Sequence, residues 1–142
     1  MNLARRPKPI GLVVDTSALI AVLLNEPARA QIRKALAGST GSAVMSAAAV
    51  LESTMVMSSR KGPPGVEFLD NFVTASDIIT MPIDGSQIDA AREAWLRFGR
   101  GNHPAKLNFG DCFSYALAAH LEVPLLCIGD DFAKTGLRMA LT

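Results

Sequence analysis

The stretch that decides the fold is Ile10-Gly11-Leu12-Val13-Val14-Asp15-Thr16-Ser17-Ala18-Leu19-Ile20-Ala21-Val22-Leu23-Leu24. Residues 10–14 are apolar and rich in β-branched side chains, which predicts a strand buried on both faces. Asp15 to Ser17 end that strand, and the apolar residues 18–24 predict a helix that begins behind a Ser or Thr cap. A buried strand that passes straight into a helix is typical of α/β proteins with a parallel sheet.

The rest of the chain continues this alternation of strands and helices. Further strands are predicted at residues 43–45, 78–82 and 123–128, and further helices at 27–36, 47–59, 66–75, 84–98 and 110–121. We therefore expect an α/β fold with a mainly parallel central sheet of about four to five strands flanked by helices. Residues 61–65 are the strongest break, but the halves on either side are too small for separate cores. We expect a single domain over residues 1–142, with residues 1–9 as a flexible N-terminal extension.

Composition and charge exclude several classes of protein. With 49% hydrophobic and 19% charged residues, the chain of 142 residues is typical of a folded domain rather than a disordered one. Its net charge of +1 does not by itself indicate a nucleic-acid binder. No apolar run is long enough to span a membrane, and Cys112 and Cys127 lack the spacing of a zinc site. We expect a cytoplasmic protein with two buried thiols and no membrane association.

Three aspartates directly follow predicted strands. Asp15 follows the first strand, and Asp130 and Asp131 follow the last one. The carboxyl ends of parallel strands meet at one edge of the sheet, where ligands bind in α/β proteins. Each residue also has a structural interpretation, because Asp15 can cap the next helix and Asp130 and Asp131 can form a turn.

Two further acids lie on predicted helices. Asp111 is in the first turn of its helix, three residues after the expected cap Asn108, and it can simply complement the helix dipole. Glu52 lies in an apolar helical stretch, where a lone carboxylate is expensive to bury without a positive partner. Glu52 can instead belong to a solvated stripe with Ser53 and Ser59.

Several carboxylates at one edge of a small sheet repel one another unless a cation lies between them. Mg²⁺ and Mn²⁺ prefer such oxygen ligands, keep several waters and bind substrate phosphates. The chemistry natural to that site is hydrolysis of a phosphodiester bond by a metal-activated water. His103 and His120 suit structural or exposed roles, and no serine–histidine pair or Gly-rich phosphate loop competes for catalysis.

Four segments match one known family in the same order, at similar intervals, across almost the whole chain. They are Val13-Val14-Asp15-Thr16-Ser17-Ala18-Leu19, Ala49-Val50-Leu51-Glu52, Leu107-Asn108-Phe109-Gly110-Asp111-Cys112-Phe113-Ser114-Tyr115-Ala116 and Leu126-Cys127-Ile128-Gly129-Asp130-Asp131-Phe132-Ala133-Lys134-Thr135. Through these segments the chain resembles the PIN-domain ribonuclease toxins of the VapC family, from bacterial VapBC type II toxin–antitoxin modules. The resemblance implies a single PIN-like domain with Mg²⁺- or Mn²⁺-dependent ribonuclease activity.

The resemblance also implies a role for each matching polar residue. Asp15 and Asp111 match the two principal metal ligands, and Glu52 matches the acid that completes the metal site or orients the attacking water. Asp130 matches a fourth acidic or amide residue. The residues in supporting positions are Thr16, Ser17, Asn108 and Asp131. Close relatives often continue the last motif with an aspartate where this chain has Gly136, which leaves the fourth ligand open between Asp130 and Asp131.

The substrate and the protein partners follow from the same resemblance. The substrate would be RNA, a tRNA or another structured RNA, and a VapB-type antitoxin would lie across the active-site groove. A second copy of the chain would form a homodimer through helices. Basic residues are compatible with RNA binding or with ordinary solvated surfaces: Arg60, Lys61, Arg97, Arg100, Lys106 and Lys134. Met45, Met55 and Met57 suit either an apolar interface or a core.

Three other functions remain as alternatives. A catalytically inactive PIN-like module would bind RNA or protein, but the intact set of Asp15, Glu52 and Asp111 argues against it. A phosphatase with an aspartyl nucleophile typically needs a second aspartate two residues after the first, where this chain has Ser17. A receiver domain needs a central phospho-accepting aspartate and a late lysine, and no good candidates align.

Overall fold

The computed structural model describes residues 8–141, in which strands and helices alternate as predicted. The strands are β1 (Leu12–Val14), β2 (Ala43–Ser46), β3 (Ile79–Met81) and β4 (Leu125–Leu126). The helices are α1 (Thr16–Leu23), α2 (Arg29–Ala37), α3 (Ala47–Ala75), α4 (Gly85–Phe98) and α5 (Phe109–Leu121), and a short 3-10 helix spans Phe132–Thr135. The strands form one sheet in the order β3-β2-β1-β4 with every pairing parallel, so the predicted α/β fold class is confirmed.

Helices cover both faces of the sheet because β1 is apolar on both. Successive side chains of a strand point to opposite faces. Leu12 and Val14 therefore pack in one core cluster with α1, α2 and α3, whereas Val13 packs in a second cluster with α4 and α5. All three are buried, which explains the unbroken apolar run that the sequence shows at this position.

The strand order places β1 at a switch point of the sheet. The chain runs from β1 to β2 and β3 on one side, and later returns to add β4 on the other side of β1. In open parallel sheets, ligands bind outside the carboxyl ends of the strands at such a point. The residue that follows β1 here is Asp15, whose backbone N–H donates to the carbonyl of Leu126 at 2.9 Å.

Two elements differ in extent from the prediction. The break expected over residues 61–65 is confined to Gly62 (φ 65°, ψ −160°), and α3 continues beyond it because Pro63 and Pro64 fit the first turn of a resumed helix. The last strand, predicted over residues 123–128, is only Leu125–Leu126. The neighbouring strand β1 ends at Val14, after which the backbone turns into α1. Ile128 N–H therefore has no strand to pair with and donates to Ser17 Oγ at 3.0 Å.

The chain ends lie partly outside the described residues. The flexible extension predicted for residues 1–9 falls mostly on residues 1–7, which the structure does not describe. Lys8 is exposed, and its Nζ donates to the carbonyl of Thr40 at 3.0 Å. The extent of the domain over residues 1–142 stays a prediction. Across residues 8–141, no helix combines the length and the apolar character needed to cross a membrane.

Candidate active site

Asp15 is both the cap of α1 and the acid at the switch point. Its backbone is extended (φ −83°, ψ 156°), and Oδ2 accepts hydrogen bonds from Ser17 N at 3.0 Å and Ser17 Oγ at 2.7 Å. The predicted Ser or Thr cap is therefore wrong, because the carboxylate of Asp15 reaches the first free N–H groups before any hydroxyl does. Asp15 is 4% exposed, so this buried acid is compensated by its hydrogen bonds.

Ser17 fixes Asp15 to the end of β4. The hydroxyl that donates to Asp15 also accepts the hydrogen bond from Ile128 N–H. One side chain thus joins the ends of two neighbouring strands and restrains the carboxylate between them. The supporting role of Ser17 stays a prediction, and these two hydrogen bonds are the contacts through which it would act.

Glu52 reaches the site from α3, which Thr16 holds against α1. Ser46 caps α3 by accepting from Ala48 N at 3.3 Å, and the buried Thr16 Oγ1 donates to the carbonyl of Ala49 at 3.2 Å, one turn before Glu52. Glu52 is half-buried, and its carboxylate lies against Gly110 in the first turn of α5. The carboxylate of Glu52 therefore lies against α5 and not on a fully solvated stripe of α3.

Asp111 forms a capping box at the start of α5. Its backbone N–H donates to Asn108 Oδ1 at 2.9 Å, and its Oδ2 accepts from Asn108 N at 3.0 Å. The cap expected at Asn108 is confirmed. Because this box fixes the half-buried carboxylate next to Gly110 and Glu52, the structural and the functional interpretations of Asp111 are compatible.

The charges of the carboxylates act on one another. Burial raises the pKa of Asp111 to about 6, against the opposing effect of the hydrogen bond from Asn108 N–H. The charges of Asp15, Glu52 and Asp131 are smaller contributions to the same rise. A cation at this point would relieve the repulsion. The structure thus brings Asp15, Glu52 and Asp111 together from three different elements.

The donor chemistry of this cluster fits a hydrated divalent cation. Within residues 8–141, no three His, Cys, Asp or Glu side chains converge tightly enough to enclose a metal ion by themselves. Mg²⁺ usually binds through one or two carboxylates, several waters and substrate phosphates rather than in an all-protein cage. The carboxylates around Asp111 are oxygen donors of the kind that such an ion prefers, and water and substrate would have to complete its set of ligands.

The thiols next to the site are not candidates for catalysis or metal binding. Cys112 and Cys127 are free and buried, as predicted. The pKa of both thiols is raised, that of Cys127 to about 12, mainly by burial and to a smaller extent by nearby carboxylates, Asp111 among them. Both thiols therefore stay protonated at neutral pH, whereas nucleophilic and metal-binding cysteines are thiolates.

Comparison with known proteins identifies the family of the chain. The family pattern of the PIN domain matches residues 12–137, which include all of the acids discussed. The chain belongs to the PIN-domain family. Ribonuclease VapC of Mycolicibacterium smegmatis is 44% identical over 124 residues, which cover 87% of this chain and 95% of the relative. Ribonuclease VapC28 of Mycobacterium tuberculosis is 43% identical over 131 residues, covering 92% and 98%. At this similarity the PIN domain is a member of the VapC family.

Solved structures of VapC proteins share the fold at much lower sequence identity. VapC20 of Mycobacterium tuberculosis, described as a toxin that cleaves the sarcin–ricin loop, superposes with a TM-score of 0.74 at 15% identity, covering 89% of this chain and 96% of that one. The DNA-bound VapBC complex of Salmonella typhimurium gives a TM-score of 0.76 at 15% identity, covering 92% and 96%. At this identity the likeness shows the fold alone.

Asp130 and Asp131 differ in their relation to the PIN-domain site. Asp130 is exposed in the loop after β4, whereas Asp131 is half-buried, and its charge is among those that raise the pKa of Asp111. Asp131 Oδ1 also lies 4.0 Å from Lys134 Nζ, in an exposed ion pair of little energetic weight. At Gly136 the backbone is left-handed (φ 83°), a conformation that glycine adopts without steric cost.

Sequence reasoning missed two features of this PIN domain. One is the contact of the Glu52 carboxylate with Gly110, for which the only signal was a glycine in the first turn of a helix beside Asp111. The other is an apolar groove of about 550 Å³ between α4 and α5. Its large exposed side chains are Ile88, Trp95, Leu96 and Phe109. Two of them, Ile88 and Trp95, are seven residues apart on α4, a spacing that places them on one face of the helix.

Proposed function

We propose that this PIN domain is a metal-dependent ribonuclease, the toxin of a type II toxin–antitoxin system, in which Asp15, Glu52 and Asp111 hold Mg²⁺ or Mn²⁺. Membership of the VapC family supports the ribonuclease and toxin assignment. The observation that carries the metal site is the cluster of carboxylates around Asp111, whose pKa is raised to about 6. Carboxylates that raise the pKa of a buried neighbour at a switch point suit an ion that neutralises them.

The three acids differ in how firmly the protein holds them. Asp15 and Asp111 each use an oxygen in a helix cap, so their positions are fixed before a ligand arrives. When bound, the cation would supply a water that is nucleophilic at neutral pH and would neutralise charge on the phosphodiester. Glu52 extends from the second turn of α3 without taking part in a cap, and it is the acid suited to orient the attacking water and accept its proton at a carboxylate oxygen.

We further propose a structured RNA, a tRNA or an rRNA loop, as the substrate in the cytoplasm. VapC20, a structural neighbour, is described as cleaving the sarcin–ricin loop. Lys134 is exposed in the 3-10 helix after β4 and lies within 4.0 Å of Asp131. A lysine beside the carboxylates is placed to contact a backbone phosphate next to the scissile one.

A VapB-type antitoxin is the proposed regulatory partner. The complex from Salmonella typhimurium is a VapBC assembly. On α3, Leu51 and Met55 are 61% and 60% exposed, and they lie one residue before and three residues after Glu52. An antitoxin segment that covered these apolar side chains would also cover the entrance to the carboxylates. Met45 and Met57, by contrast, are core residues.

We propose that the groove between α4 and α5 is covered by a second copy of the chain. Leu96 is 71% exposed and Phe109 79%, and Ile88 and Trp95 are each 41% exposed, so the groove presents large apolar side chains that a partner would bury. A two-fold interface uses the same patch on both subunits. These four side chains of both copies would then form the apolar centre of the interface, surrounded by a polar rim.

A cleavage assay with a matched control tests the nuclease proposal. A panel of structured RNAs is incubated with the wild type, Asp15→Asn and Asp84→Asn, with Mg²⁺ or Mn²⁺ and with EDTA. Asp84 caps α4 by accepting from Gln87 N at 3.0 Å, much as Asp15 caps α1, but it is exposed. We expect cleavage only by the wild type and Asp84→Asn, and only with metal. Cleavage that survives both EDTA and Asp15→Asn would overturn the metal site, and RNA binding without cleavage would favour an inactive binding module.

A further inference from the structure

Gly110 lies directly against the carboxylate of Glu52. A Cβ atom added at Gly110 would lie 2.5 Å from Glu52 Oε2, and 2.9 Å from both Oε1 and Cδ. Its three nearest neighbours are therefore the three atoms of one carboxylate group. Because Glu52 belongs to α3 and Gly110 to α5, this contact joins two helices next to Asp111.

The backbone at this position does not require a glycine. Gly110 is the second residue of α5, and it is not among the residues with positive φ, unlike Gly129 and Gly136. In a helix, alanine is more stable than glycine by roughly 0.5–1 kcal/mol. The glycine is thus unfavourable for α5 itself, and the space that a methyl group would fill is taken by Glu52.

We propose that Gly110 is a positioning residue that sets where the Glu52 carboxylate stands relative to Asp111. The inference rests on the proposed function of Glu52. A methyl group at this position would push the carboxylate back by roughly 1 Å, because non-bonded heavy atoms are best separated by about 3.5 Å. The group displaced is the far end of a flexible side chain, so the fold tolerates the change and the position of the carboxylate absorbs it.

The size of the displacement sets the size of the effect. A misplacement of about 1 Å in a catalytic arrangement costs up to about 10²-fold in rate. A divalent ion of the Mg²⁺ type also demands a well-defined arrangement of its ligands. We therefore expect Gly110→Ala to weaken Mn²⁺ binding and to lower kcat, each by roughly 10-fold or more.

Gly85 provides a matched control. It is the first residue of α4, and a Cβ atom added there has nothing within 4 Å. Gly85→Ala therefore makes the same chemical change in the first turn of another helix without touching a carboxylate. Both substitutions should leave the melting temperature unchanged or raise it slightly, since alanine favours helices.

The experiment is a double-mutant cycle on Mn²⁺ affinity, measured by isothermal titration calorimetry. The proteins compared are the wild type, Gly85→Ala, Gly110→Ala, Glu52→Ala and the double variant Gly110→Ala/Glu52→Ala. Thermal unfolding and kcat on an RNA that the wild type cleaves are measured alongside. We expect Gly110→Ala to weaken Mn²⁺ binding in the wild type but to have no further effect in the Glu52→Ala background, where no carboxylate is left to displace.

Each other outcome overturns the inference, and the cycle shows at which step. Wild-type Mn²⁺ affinity and kcat in Gly110→Ala would mean that Glu52 is not positioned by this contact. An equal loss in both backgrounds would mean that the substitution acts through α5 rather than through Glu52. If Glu52→Ala alone changes neither Mn²⁺ affinity nor cleavage, the proposed function of Glu52 fails as well. If Glu52→Ala weakens both and Gly110→Ala weakens neither, only the role of Gly110 fails.

Discussion

Replacing Ser17 by alanine should strongly lower metal affinity or activity while it lowers the free energy of unfolding only modestly. The substitution removes the 2.7 Å hydrogen bond from Ser17 Oγ to Asp15 Oδ2 and the 3.0 Å bond in which Ile128 N–H donates to the same hydroxyl. The bond from Ser17 N to Asp15 remains, so the cap of α1 survives. Asp15 would keep its place at the end of β1 but lose its link to β4.

The magnitude follows from the kind of hydrogen bond that is lost. A bond to a charged acceptor contributes about 1.5–3 kcal/mol, and a neutral one about 1 kcal/mol. Ile128 is 37% exposed and Ser17 is half-buried, so water replaces part of both interactions. We expect a loss of about 1–2 kcal/mol in the free energy of unfolding. Loss of a residue that orients a metal ligand typically lowers metal affinity or activity by roughly 10–100-fold.

Ser86→Ala is the matched control for this prediction. Ser86 Oγ donates to Asp84 Oδ1 at 2.7 Å, also two residues after a capping aspartate, but it lies exposed on α4. In urea unfolding, Ser86→Ala should change the free energy of unfolding by no more than about 0.5 kcal/mol. Its kcat/KM should equal that of the wild type. If Ser17→Ala matched this control in both stability and activity, the reasoning that Ser17 restrains Asp15 would be refuted.

Three further predictions concern pH, the fourth acid and the subunit interface. The pKa of Asp111 is raised to about 6 in the metal-free protein, so protons compete with the metal for this carboxylate. The Mn²⁺ affinity, measured by calorimetry, should therefore fall about 10-fold from pH 7 to pH 5. An affinity that stays constant over this range would contradict the prediction. The pKa of Asp111 in the folded protein lies above its value of about 3.9 in the unfolded chain. The contribution of Asp111 to the free energy of unfolding of the metal-free protein is therefore present below about pH 4 and is lost as the pH rises through about 6. Asp131→Asn should weaken Mn²⁺ binding severalfold and Asp130→Asn less, since only the former removes a charge that acts on Asp111; the reverse order would restore Asp130 as the fourth acid. Leu96→Glu should convert a dimer into a monomer in sedimentation experiments while Leu51→Glu does not, and a monomeric wild type would exclude the proposed interface.

The fold was predictable because its decisive signals are local. The apolar run that ends at Val14 and the amphipathic pattern of α4 each depend on residues next to one another in sequence. The extent of β4 was not predictable in this way. The neighbouring strand β1 ends where the chain turns into α1, and β4 can pair with β1 only up to that point. Cys127 and Ile128 therefore have the sequence character of a strand but lie beyond the last paired residues.

The candidate site was predictable in its members but not in its contacts. Asp15, Glu52 and Asp111 could be named from strand ends and from a resemblance, and the structure brings them together. The double role of Asp15 as cap and acid could not be decided from sequence, because both roles need the same residue at the same place. The contact between Gly110 and Glu52 joins residues 58 positions apart, and only the packing of α3 against α5 reveals it.

The assignment of Asp15, Glu52 and Asp111 as the metal site can be tested in a crystal soaked with Mn²⁺. Anomalous scattering measured at the manganese edge would show where the ion binds. The account predicts a single strong peak beside Asp15 and Asp111, with carboxylate oxygens at roughly 2.0–2.2 Å and Glu52 close enough to contact the ion or its water. The same soak of Asp15→Asn should show the peak weakened or lost. A peak elsewhere on the molecule, or an undiminished peak in Asp15→Asn, would contradict the assignment of these carboxylates as the metal site.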